Sequence, residues 1–150
     1  MRKLEIAWRV LFVVALLDLI LGIGTLVIEP SSVLLAEELG MKGFAGVTPE
    51  ELQTLSPNLF AWIGFVFKSW SAFIIGSSVL TMGIAAKAYR EGERWAWFTL
   101  VIGHVPLCLI YLSISILLRS AFVPFIGLVV LAYLVGLLLP ARQFLGGKQL

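Results

Sequence analysis

Residues 59–86 read "LFAWIGFVFKSWSAFIIGSSVLTMGIAA", an apolar run with one ionisable side chain, Lys68. As a helix rising about 1.5 Å per residue it reaches about 40 Å, more than the roughly 30 Å core of a bilayer. Three further apolar runs accompany it: Val10–Ile28, Trp95–Leu118 and Phe122–Leu139. Across all 150 residues, 60% are hydrophobic and 13% charged, with a mean hydropathy of +1.02. A water-soluble domain carries about 25% charged residues. The predicted fold class is therefore all-α, a single-domain integral membrane four-helix bundle, antiparallel and up-down. Its spans fall at about 6–28, 58–87, 95–118 and 122–139, with an outer loop over about 29–57.

Arg2 and Lys3 ahead of the first run imitate a signal peptide. The run is longer than the usual h-region of about 7–15 residues, and "LVIEPSS" lacks a small-x-small cleavage pattern, so an uncleaved first helix is expected. Arg2, Lys3, Arg9, Lys87, Arg90, Arg94, Arg142 and Lys148 fall on one side of the alternating spans, against Lys42 and Arg119 on the other. Basic residues favour the cytoplasmic side, which makes both termini cytoplasmic in a multi-pass protein of the cell (inner) membrane. The net charge of +2 sits in these short flanks and is no nucleic-acid surface.

Cys108 is the single cysteine and lies within the third run, which excludes an intrachain disulfide and a paired-cysteine redox enzyme. One His and one Cys cannot build a zinc site, and no CxxC, GxGxxG, P-loop or HExxH pattern occurs, so no metal site is expected and no cofactor is identified.

The outer loop carries helix signals of its own. Ser32 can cap a turn ending near Gly40, "TPEE" at Thr48–Glu51 is a capping box with Pro49 at the first helical position, and Ser56 before Pro57 repeats the cap. Val33, Leu34, Leu52 and Leu55 suit short amphipathic helices across the mouth of the bundle, either a lid or a plain connector. Between spans two and three, Gly92 can end one helix, and Trp95 and Trp97 are placed at headgroup level.

This hairpin, "YREGERWAW" at residues 89–97, together with "LSPNLFAWIGF" at residues 55–65, resembles small prokaryotic four-helix membrane proteins of unsettled function, broadly the DoxX-like kind. The likeness covers residues 49 to 100 or so. It implies a compact four-helix membrane bundle and transfers no catalytic residue.

Ionisable groups in a bilayer core cost about 2.5–3.5 kcal/mol on insertion scales, so each one present is a site candidate. Three lie in the spans: Asp18, Lys68 and His104. Counting from the span boundaries puts Asp18 and Lys68 at nearly equal depth, about 15 Å in. Lys68 shares a helical face with Ala61, Gly64, Ala72, Gly76, Val79 and Gly83, while Asp18 shares one with Ala7, Ala15, Gly22 and Thr25. Small-residue faces pack in membranes, so an inward Asp18–Lys68 pair is expected, the alternatives being that Lys68 snorkels outward or that the two charges serve only as a packing clamp. In span three, Trp97, His104, Cys108, Tyr111 and Ser115 form one stripe, and Tyr133 of span four comes near His104 in depth. Pro106 interrupts one helical hydrogen bond there.

Asp18, Lys68, His104, Tyr111 and Tyr133 are thus the candidate ligand-binding or polar-core residues, with no catalytic set defined. The favoured function is a non-catalytic binding or assembly subunit for a membrane lipid, a quinone or a partner helix, including a second copy of the chain or a larger membrane complex. The alternatives are a membrane enzyme on a lipophilic substrate, with His104 as acid/base and Lys68 beside Asp18, or a proton or small-ion pathway. A cavity of a few hundred Å³ reaching the polar cluster separates a ligand site from a solid assembly unit.

Overall fold

The computed structural model describes residues 2–28, 42, 43 and 45–146, with the backbone alone at Arg2. Among them the order is α1 Arg2–Val27, α2 Pro49–Leu55, α3 Pro57–Ile84, a π-helical turn Ala85–Tyr89, α4 Arg94–Leu117, α5 Val123–Leu138 and α6 Ala141–Leu145. No described residue forms a strand. The segment with Ser32, Val33, Leu34 and Gly40 lies outside the described residues.

Three helices are long and apolar enough to cross a membrane: α1, α3 with its π turn, and α4. The fourth run is shorter than expected. α5 has 16 residues, about 24 Å, because Phe122 is its N-cap and the chain turns at Leu139–Pro140.

α1 packs along α3 on one side and along α5 on the other, and α4 packs along α5. α3 and α4 are joined through the π turn and diverge from it, with little contact beyond. The bundle therefore has a hairpin end, where α1 begins, α3 meets α4 and α5 finishes, and an opposite loop end.

The hairpin end is filled. Ala7, Leu11, Ala88, Tyr89, Leu137 and Phe144 belong to one buried core. The last carbonyls of α5 have no partner within their helix. They are met from elsewhere: the Tyr89 hydroxyl donates to the Gly136 carbonyl at 2.7 Å, and Trp97 Nε1 donates to the Leu137 carbonyl at 3.0 Å. Phe144 sits with its ring centroid 5.0 Å from that of Tyr89 and 6.1 Å from that of Trp97. Trp97 thus faces the core of the hairpin end. Its buried N–H is bonded to α5, whereas Trp95 is exposed.

Two glycines permit the close crossings. A Cβ on Gly22 would meet Ile75 Cγ1 at 2.9 Å and the Ile75 backbone nitrogen at 3.3 Å, and one on Gly136 would meet the Leu11 side chain at 2.8 Å. Around Gly76 nothing lies within 4 Å. The outward faces carry large aliphatic and aromatic side chains: Ile20, Phe65, Ile102 and Leu128 are each more than half exposed. That inverts the pattern of a water-soluble bundle.

Local signals explain the helix ends. Thr48 caps α2 as a full capping box, its Oγ1 accepting from the Glu51 amide at 3.2 Å and the Glu51 carboxylate accepting from the Thr48 amide at 2.8 Å. Ser56 departs from expectation. It precedes Pro57 at the start of α3 but makes no side-chain cap bond, since its φ/ψ is not that of a usual cap; its amide closes α2 onto the Leu52 carbonyl. Gly92, with φ +81°, ends the π turn. Arg119, with φ +56°, takes the position a glycine usually holds after α4, where the Ser120 amide donates back to the Ser115 carbonyl at 2.9 Å.

Candidate functional site

Where α3 and α4 diverge, the loop end holds a half-open cavity of about 460 Å³. α1 contributes Asp18, Leu21 and Thr25; α3 contributes Phe67, Trp70, Ser71, Ile74, Ser77 and Ser78; α4 contributes His104, Cys108 and Tyr111; α5 contributes Ile126, Val129 and Val130. The walls are mainly apolar, with polar groups gathered on α1, α3 and α4. Trp70 bridges the gap between α3 and α4, its ring centroid 5.6 Å from that of Tyr111 and 5.6 Å from that of Phe73.

The register of α1 against α3 comes from one hydrogen bond. Thr25 Oγ1 lies 2.8 Å from Ser71 Oγ. Counting antiparallel from it, Asp18 is level with Ser78 and Lys68 is level with Ile28. Lys68 and Asp18 are then ten residues apart in depth, about 15 Å along the helix axes. The expected Asp18–Lys68 pair is not formed. Lys68 is exposed, lies outside the cavity lining and joins no ion pair among the described residues. The physical reason is that α3 begins well beyond the end of α1, so counting both spans from their apolar boundaries misaligned them. The face was misjudged as well. Gly64, Ser71, Ser78, Thr81 and Ala85 are the buried positions of this segment, while Ala61, Lys68, Ala72, Gly76 and Gly83 face outward.

The other candidates fall together. Asp18, His104 and Tyr111 all line the cavity. Tyr133 is buried behind it, its ring stacked on His104 with centroids 4.5 Å apart and planes at 21°. The Tyr133 hydroxyl has no hydrogen bond among the described residues; Thr81 stands beside it, out of hydrogen-bonding geometry. Asp18 is close enough to act electrostatically on both Cys108 and Tyr133. Asp18 itself makes no hydrogen bond or ion pair among the described residues, an unusual state for a half-buried carboxyl.

Sequence reasoning missed Thr25, Trp70, Ser71, Ser77 and Ser78 as site residues. The signal available for α3 was the seven-residue recurrence of Gly64, Ser71, Ser78 and Ala85, small or hydroxyl-bearing at each step. Among the described residues no three His, Cys, Asp or Glu side chains come together to hold a metal ion.

What the fold and this site define is an all-helical protein with three helices of membrane-crossing length and a largely apolar cavity holding a carboxyl and an imidazole. Set against known proteins, the chain matches no protein-family model, no curated protein and no solved structure.

Proposed function

We propose that this chain is a multi-pass protein of the cell (inner) membrane that holds a lipophilic molecule, of the size of a lipid chain or quinone head, in the loop-end cavity. It acts as a binding or assembly subunit and not as a catalyst. The observation that carries this reading is the cavity itself: about 460 Å³ beside Asp18 and His104, in a bundle whose opposite end is packed. A unit used only for assembly has no need of such a space. The enzyme reading loses Lys68, which lies about 15 Å from Asp18 in depth, and keeps only His104 as an acid/base.

In this proposal α5 is a fourth crossing, short enough to thin the bilayer locally. Support comes from the bonds that Tyr89 and Trp97 make to its last carbonyls, which put its end beside the start of α4. The likeness to DoxX-like proteins enters as shared bundle architecture alone. The basic residues of the hairpin end give both termini a cytoplasmic position.

Two measurements test these points. In sealed cells, a cysteine at Gln53 in α2 should be labelled by an impermeant thiol reagent, and one at Gln143 in α6 only after permeabilisation, each in a Cys108→Ala background. Equal labelling would sink the orientation. Mass spectrometry of gently extracted protein should find a co-purified lipophile that is lost when Ser77→Leu narrows the cavity. Protein that carries nothing, before and after the substitution, would leave the assembly reading in its place.

A further inference from the structure

The cavity is one-sided in charge: among the described residues it is lined by a carboxyl and by no lysine or arginine. Three of the cavity's hydroxyl hydrogens, those of Thr25, Ser71 and Ser77, are already used. Ser77 donates to the Ile74 carbonyl at 3.0 Å, and Ser71 has the Phe67 carbonyl within 2.9 Å. Thr25 has the Leu21 and Gly22 carbonyls at 3.0 and 3.2 Å, besides its 2.8 Å contact with Ser71. Each hydroxyl has one hydrogen, and these bonds consume all three. What these three offer a ligand is oxygen lone pairs, while Ser78 and Tyr111 bring further hydroxyls to the lining.

Asp18 adds a carboxyl with no partner among the described residues, and none of the described lining residues is a lysine or arginine. The lining also carries groups able to donate: His104, the Trp70 indole, the Ser78 and Tyr111 hydroxyls and the weak Cys108 thiol. Trp70, Phe67 and Tyr111 supply ring faces, whose quadrupoles attract a cation. An anionic headgroup has no counter-charge among the described lining residues, whereas a cation meets both a carboxyl and ring faces.

Resting on the binding reading above, we propose that the ligand is a lipophilic ammonium, an amine bearing N–H donors on an apolar body. Asp18 is its counter-ion, the hydroxyl oxygens of α3 accept its remaining N–H bonds, and Trp70 covers it on the α3–α4 side. A zwitterionic lipid fits less well, since its phosphate would also need a cation within the lining.

The test uses full-length protein in dodecyl maltoside, measured by equilibrium dialysis against protein-free micelles. Three probes are compared: 4-phenylbutylammonium, its hydrocarbon isostere pentylbenzene, and a decyl-substituted benzoquinone. The ammonium should bind at least ten-fold more tightly than either neutral probe. Asp18→Asn should abolish that preference while changing pentylbenzene binding by less than three-fold. If that variant fails to fold, the order of affinities in the unaltered protein still decides. Competition by phosphatidylethanolamine would assign the ammonium to a headgroup, and failure to compete would assign it to a free amine. Equal or tighter binding of a neutral probe overturns the ammonium proposal while leaving the cavity a ligand site. If no probe binds, the binding reading falls with it.

Discussion

Phe144→Ala is expected to cost about 3–5 kcal/mol, the range for emptying a buried aromatic site. In a chain of this length that lowers the unfolding midpoint by about 10 °C. The side chain is 2% exposed and lies against Tyr89 and Trp97. Those two residues close the end of α5 by donating to its Gly136 and Leu137 carbonyls. Loss of the ring leaves a void against both, and a donor that shifts strands a buried carbonyl, which adds to the loss. Thermal unfolding in detergent, followed by tryptophan fluorescence, measures the effect. A midpoint within about 2 °C of the parent would mean that α6 does not dock under the bundle. Because Phe144 belongs to the hairpin end, ligand binding at the loop end should survive wherever the variant is still folded.

α1 and α4 were legible in the sequence, and α3 was not. On α1 the small positions Ala7, Ala15 and Gly22 are buried, while Val13, Leu16, Ile20 and Val27 are exposed, as the helical phase predicts. On α4 the predicted stripe turns inward, with Trp97 and Ser115 buried and His104, Cys108 and Tyr111 on the cavity. α3 carries two stripes of small residues, one with Lys68, Ala72 and Gly76 and one with Gly64, Ser71, Ser78 and Ala85. Between apolar surroundings and an apolar core, hydropathy does not distinguish inside from outside, so residue size alone left the choice open. The 3.5-residue period of the second stripe was the better guide, since it keeps one seam facing a neighbouring helix along the whole crossing. The depth of Lys68 was a question of register. Register came from the Thr25–Ser71 contact between distant positions, which no local pattern announces. The cavity was equally invisible, because it follows from the divergence of two helices that are neighbours in sequence.

Gly22→Val should be severely destabilising, by about 3 kcal/mol at the top of the usual range for overpacking, whereas Gly76→Val should stay within about 0.5 kcal/mol of the parent. The two glycines look alike in sequence, each inside an apolar helix. Gly22 has Ile75 Cγ1 at 2.9 Å and the Ile75 backbone nitrogen at 3.3 Å from where a Cβ would sit, and a backbone atom cannot swing aside as the tip of a side chain does. Gly76 has open space. A valine at Gly22 must push α1 off α3 next to the Thr25–Ser71 bond that sets their register, one turn from Asp18. The same substitution should therefore weaken ligand retention in whatever fraction still folds, by separating the carboxyl of Asp18 from the Ser77 and Ser78 hydroxyls opposite. Paired measurements of unfolding midpoint and co-purified lipophile read both effects. If Gly76→Val proves as damaging as Gly22→Val, the outward stripe of Ala72 and Gly76 is covered in the membrane by another helix. Lys68 would then stand at a subunit boundary instead of facing lipid.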